Sequence, residues 1–292
     1  MLKRISGIFC LLPAFVSCVI WKQAETSERP RVDGYITELA EKTVFDTEKA
    51  PESSGIENIF GDADYFITHG DSFCPSSLYG LGFEDGKVSR YDEFRLKGAL
   101  QFDWEDLASS FDNGEPTLYL GDIGDNFRFR TRKSVHIISK IEEGRAIVGR
   151  SIRFRCVRDG KTVYSDTEAL FYFKGSLYVL TKNYGHALMF RIPLDKGDRV
   201  DAPCVGVLPV VSRITSAAVN REQTMLAVLS LNFLYLYDIT GGVEPENLNL
   251  LRVYSAAGCR QCEGVCFTES GDLAVTNEQG DFYLLKTGAA ED

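Results

Sequence analysis

Glu168-Ala169-Leu170-Phe171-Tyr172-Phe173 is a short apolar and aromatic run closed by Lys174-Gly175, the pattern of a buried β-strand running into a turn. Its first three residues have counterparts elsewhere, each at the start of a predicted strand: Ser54-Gly55-Ile56, Glu105-Asp106-Leu107, Ala217-Ala218-Val219 and Glu263-Gly264-Val265. The spacings are 51, 63, 49 and 46 residues, room for one four-stranded sheet each and too little for a separate domain. Self-similarity at that period predicts a β-propeller. The first strand of each blade lines the central axis, so equivalent positions converge there, and three of these five are glutamates.

Strand-like runs follow each phrase in regular order. They fall at 55–60, 65–69, 77–83 and 88–96, then 106–111, 117–121, 134–141 and 151–157. The series continues at 169–173, 176–181, 187–192 and 204–211, then 218–220, 225–231, 233–239 and 248–254. Gly, Asp, Asn or Pro closes each run, and no window sustains a 3.6-residue apolar period, so little helix is expected. The last segment offers only three runs, at 264–268, 272–276 and 282–285. An unpaired edge is a template for aggregation. The fourth strand of that segment is therefore expected from the N-terminal side, at 35–38 or 43–46. The expected fold is an all-β, five-bladed β-propeller spanning 34–292 and closed by an N-terminal strand. The alternative is six blades, with 32–46 an eroded extra one.

The 292 residues are 44% hydrophobic and 25% charged, an ordinary globular balance. A net charge of −10 repels phosphate backbones and argues against nucleic acid as a partner. At the N-terminus, Lys3-Arg4 precedes a short apolar run too short to span a bilayer, which predicts an export signal over 1–18. Phe15-Val16-Ser17-Cys18 has the form of a bacterial lipobox, with Cys18 as the acylated residue, or else belongs to an ordinary cleaved signal. Residues 19–33 read as a polar tether. The expected location is the periplasm, outer membrane or cell surface, with membrane contact only through a lipid on Cys18.

Past Cys18, six cysteines remain: Cys74, Cys156, Cys204, Cys259, Cys262 and Cys266. Cys259-Arg260-Gln261-Cys262 has C-x-x-C spacing, but a zinc site lacks a fourth ligand and a thioredoxin-like role lacks its βαβ context. Disulfides or plain packing are the expected fates.

Hairpin topology brings the ends of the second strands to the same face as Glu105, Glu168 and Glu263. Those ends are polar, with His69, Asp71, Asp122, Asp125, Asn126, Lys182 and Asn277 among them. Three carboxylates at close range require a cation or a bound proton. Oxygen donors suit Ca²⁺ rather than zinc, so Glu105, Glu168 and Glu263 are the expected metal ligands. A structural network of channel water is the rival reading. His69 and Glu168 are candidate general bases, with a hydrogen-bonded structural role the alternative for His69. Asp71, Asp122, Asn126, Lys182 and Asn277 are candidate ligand contacts, and Arg130 and Lys182 could hold an anionic group or balance the acidic rim. The stretch 122–126 would also serve as a tight turn. No G-x-S-x-G elbow, P-loop or H-E-x-x-H occurs, which disfavours covalent serine catalysis.

Thr68-His69-Gly70-Asp71, Asp103-Trp104-Glu105-Asp106-Leu107 and Gly121-Asp122-Ile123-Gly124-Asp125-Asn126, with Arg130 behind them, resemble bacterial exported propellers of the phytase-like or esterase-like kind. Asp166-Thr167-Glu168, the segment 177–182 and Gln261-Cys262-Glu263-Gly264 continue the resemblance in order, over roughly 50–286. It implies a propeller and an exported protein. Gly70 stands where the family commonly has Asn, and Ala217 leaves the fourth blade without its carboxylate; both departures count against phytate hydrolysis. The expected function is an envelope binding module with an acidic, calcium-binding channel mouth, its partner a small molecule or an envelope protein. The alternative is a metal-assisted hydrolase of a small ester, lactone or phosphoester.

Overall fold

The structure, a computed structural model, describes residues 29–58, 64–71, 74–111 and 116–287. The proposed signal over 1–18 and Cys18 lie outside the described residues. The chain is nearly all β. Its helical content among the described residues is one turn, α1 (Ile36–Leu39), and a 3₁₀ turn at Pro245–Asn247.

Two short N-terminal strands, β1 (Gly34–Tyr35) and β2 (Ala40–Val44), flank α1. Five antiparallel groups follow. The first holds β3 (Ser53–Glu57), β4 (Tyr65–Gly70), β5 (Ser77–Glu84) and β6 (Lys87–Lys97). The second holds β7 (Trp104–Ser110), β8 (Thr117–Asp122), β9 (Lys133–Glu142) and β10 (Arg145–Arg158), with β11 (Lys161–Thr162) folded back on β10. The third holds β12 (Thr167–Phe173), β13 (Ser176–Thr181), β14 (Ala187–Pro193) and β15 (Arg199–Leu208). The fourth holds β16 (Ile214–Val219), β17 (Met225–Ser230), β18 (Phe233–Asp238) and β19 (Asn249–Ser255). The last has only β20 (Cys262–Phe267), β21 (Leu273–Asn277) and β22 (Asp281–Leu285) from its own segment.

The expected fourth strand is β2, which pairs antiparallel with β22 from Ala40↔Leu285 to Val44↔Asp281. It overlaps the 43–46 candidate; the 35–38 candidate is instead mostly α1. The end of the presumed tether is also docked. Asp33 exchanges backbone and side-chain hydrogen bonds with Val253, at 2.7 and 2.8 Å, and β1 then pairs in parallel with β19.

The first strands β3, β7, β12, β16 and β20 pack against one another in that order, and β20 returns to β3. Their residues are almost all buried because each strand has neighbours on both faces. The apolar core lies between adjacent groups: Tyr119 stacks on Tyr172 across the second and third, 5.7 Å between ring centroids. At the outside, β10 pairs in parallel with both β6 and β15, so the first three groups share one sheet and two of their edges are covered.

The recurrent phrase has a structural cause. Each first strand carries a register break at the same step, which leaves Ser54, Glu105, Glu168, Thr215 and Glu263 as the extra residue opposite its partner. A β-bulge re-aims the side chain it carries. This corrects the alignment of the fourth phrase. The equivalent of Glu168 is Thr215, not Ala217, which lies two residues further along β16 and pairs normally with Val228. Apolar periodicity could not detect that shift, because a two-residue slip preserves the face of every side chain.

Candidate functional site

The bulges bring chemistry to one end of the first strands. Among the described residues, carboxylate oxygens of Glu105, Asp166 and Glu168 lie within 4.8 Å of one another, as do those of Asp71, Asp103 and Glu105. Glu105 belongs to both groups. Glu105, Asp166 and Glu168 are buried. Burial and the charge of Glu168 push the Glu105 carboxyl well above the usual range. Glu168 is pushed up to about 8, chiefly by burial, with Asp166 adding to it and Lys182 opposing. Its Oε1 is buried and meets no donor among the described residues.

Lys182 is the internal counter-charge. Its Nζ lies 2.9 Å from Glu168 Oε2. Burial opposes its charge, but Glu168, Glu263 and Glu105 outweigh that and hold the ammonium protonated. Glu263 is buried too, and its carboxyl is pushed up to about 7, with Lys182 opposing the shift. Of the three glutamates expected to ligate one ion, Glu105 and Glu168 thus share a carboxylate group, whereas Glu263 shares Lys182 with them. One lysine faces several carboxylates, so protons or a further cation must balance the rest.

Other predicted contacts are placed differently. His69 is fully buried: its Nδ1 meets Gly70 O at 2.9 Å and its ring stands edge-on to Trp104. Burial pulls its pKa down to about 4, which keeps it neutral. Asn277 spends both ends of its amide on the protein, donating to Asp281 in its own turn and to Cys259 O, and accepting from the backbone of Gln279 and Asp281. Asp122 takes Arg130 Nη2 at 2.7 Å, and Arg130 Nη1 donates to Gly124 O at 2.7 Å. Burial pushes the Asp122 carboxyl up, but His136 and Arg130 outweigh it and lower the pKa. Arg130 is therefore tied to its own loop rather than offered to an anion. Asp125 accepts from the backbone N–H groups of Phe129 and Arg130, both at 2.9 Å, so the turn starts at Asp125 and overlaps only the end of the expected 122–126 stretch. Asn126 is exposed on a neighbouring cleft. All six cysteines past Cys18 are free thiols.

Three residues were not singled out from sequence. Asp103 and Asp166 each lie two positions before a bulged glutamate, so a D-x-E whose glutamate opens a recurrent phrase was a usable signal. Asp106 follows the bulge of β7 and is fully buried. It accepts from Leu107 N (3.0 Å), Leu170 N (2.8 Å), Ser216 Oγ (2.9 Å) and Ala217 N (3.2 Å), joining β7, β12 and β16. The backbone approaches the site closely at Gly124, where a Cβ would displace the Glu105 and Asp103 carboxylates.

No family model matches the chain, and no curated protein is similar to it. Among solved structures, the C-terminal WD40 domain of Sif2 is similar over 81% of this chain at 12% identity, with a TM-score of 0.37. The matched region is 58% of that structure's length.

Proposed function

We propose that the chain is a five-bladed β-propeller closed by β2, and that it is an exported binding module whose channel mouth holds a divalent cation. The cyclic packing of β3, β7, β12, β16 and β20 and the pairing of β2 with β22 support the blade count. The observation that carries the cation is the pair of carboxylate groups sharing Glu105, with the orphan Glu168 Oε1 beside them. Donors that are all oxygen suit Ca²⁺, which accepts six to eight such ligands in loose geometry. Glu105, Asp166 and Glu168 form one candidate set, Asp71 and Asp103 extend it through Glu105, and Lys182 competes with the ion for Glu168. Export rests on Lys3-Arg4 and the apolar run behind it; the mass of the native N-terminus tests it, and an unprocessed Met1 would end that part.

Calorimetric titration of chelator-treated protein with CaCl₂ tests the cation. Binding should release protons at pH 7, because Glu105 and Glu168 must ionise to ligate. Heat indistinguishable from dilution would refute the reading. A hydrolase is the second reading, favoured by Glu168 Oε1, a buried acceptor without a donor beside the carboxylate groups, the kind of group that serves as a general base. His69 is too enclosed to reach substrate. Turnover of a chromogenic ester that depends on calcium and is lost in Glu168→Gln would favour this second reading.

A further inference from the structure

Beside the carboxylate groups lies a cleft of about 560 Å³. Its walls include Phe102, Phe127 and Phe129, which are 60%, 86% and 61% exposed, an unusual concentration of aromatic surface. Phe127 and Phe129 stack with centroids 6.5 Å apart. The loop carrying them is preorganised by the Asp125 and Arg130 hydrogen bonds described above. Asp103 and Asp125 also line the cleft, and Asp103 shares a carboxylate group with Asp71 and Glu105. The cationic side chain on the described lining, Arg130, is neutralised by Asp122 and lies over Phe102 at 4.6 Å from the ring. Aromatic faces next to an acidic wall are complementary to a cation with an apolar body.

We infer that this cleft binds a small organic ammonium, its apolar part against Phe127 and Phe129 and its charged nitrogen towards Asp103. The inference rests on the binding-module reading and specifies the ligand class. Anions meet Asp103, and a neutral isostere loses the charge–carboxylate attraction. The Arg130–Phe102 stack is a cation–π contact already satisfied inside the protein.

The test uses phenethylammonium, the neutral 2-phenylethanol and the anion 3-phenylpropionate as calorimetric probes of the purified chain. Phenethylammonium should bind about tenfold more tightly than the alcohol, and the carboxylate should not bind measurably. Phe127→Ala/Phe129→Ala removes exposed rings, so the fold should survive by circular dichroism while phenethylammonium affinity falls about tenfold. Asp103→Asn should bring the amine down to the level of the alcohol. Equal binding of amine and alcohol, or an amine affinity unchanged in the double variant, would overturn the proposal. Preferential binding of a neutral disaccharide would overturn it too and assign the cleft to glycans. Amine binding without a calcium response sinks the metal reading alone; a calcium response without amine binding sinks this one.

Discussion

The two ends of the ring of first strands each bury a glutamate, and they solve the resulting charge problem differently. At the far end, Glu57 is pushed up to about 8 by burial, against donors that include Ser109 Oγ at 3.0 Å. The hollow beside it is lined in part by Arg221, which pairs with Glu269 at 3.2 Å and lies over Phe111 at 4.6 Å from the ring. At the bulged end, Glu168 reaches about the same value, but among Glu105, Asp166 and Lys182. A lone buried acid is made neutral by one proton. Clustered acids sharing one lysine leave a place where a cation can replace protons. The same shift thus marks a structural group at one end and a candidate site at the other.

The largest expected effect concerns the wall between the two ends. Asp106→Ala leaves three backbone N–H groups and the Ser216 hydroxyl without their acceptor, each costing about 1–3 kcal/mol. The melting temperature should fall by ~10 °C or the chain should not fold. A shift within a degree or two would mean that the first strands do not depend on this carboxylate.

Next comes the pH dependence of the metal-free chain. Glu57 and Glu168, at about 8, and Glu263, at about 7, all lie above their ordinary value of 4.5. The folded chain then holds protons that the unfolded chain has lost, so stability is full below about pH 4.5 and declines as pH rises towards 8. Thermal melts from pH 5 to 8.5 should show a decline; a melting temperature that rises across this range contradicts the assignment.

Single substitutions separate the two ends. Glu57→Gln should remove part of that pH slope and leave the calcium response intact. Glu168→Gln should reduce both. If Glu57→Gln abolishes the calcium response, the ion sits at the wrong end. A smaller effect is expected from Lys182→Met, which removes the competitor for Glu168. It should tighten calcium binding several-fold, the scale of one partly buried ion pair; weaker binding would make Lys182 part of the site's support instead.

The strand order and the N-terminal partner for the last group were legible because runs of Val, Ile, Leu, Phe and Tyr between Gly and Asx turns carry that information locally. Glu105, Glu168 and Glu263 were legible as recurrent positions at strand starts. Their bulges were not, since a bulge is a property of paired strands, and so Thr215 was missed in favour of Ala217. Asn277 and His69 were grouped with the site on strand position alone. Being at the right strand end does not decide whether a side chain faces the mouth or satisfies its own turn, as Asn277 does with Gln279 and Asp281. Asp106 looked like part of the repeat, yet its partners lie on two other strands far along the chain.

The most direct test of the central claim is the melting temperature of chelator-treated protein titrated with CaCl₂ at pH 6 and pH 8. A ligand that binds only the folded state raises stability by mass action. The account predicts a rise at both pH values, larger at pH 8, where Glu105 and Glu168 give up their protons more easily. A melting temperature indifferent to millimolar calcium at both pH values would contradict it and leave the bulged carboxylates to protons and Lys182 alone.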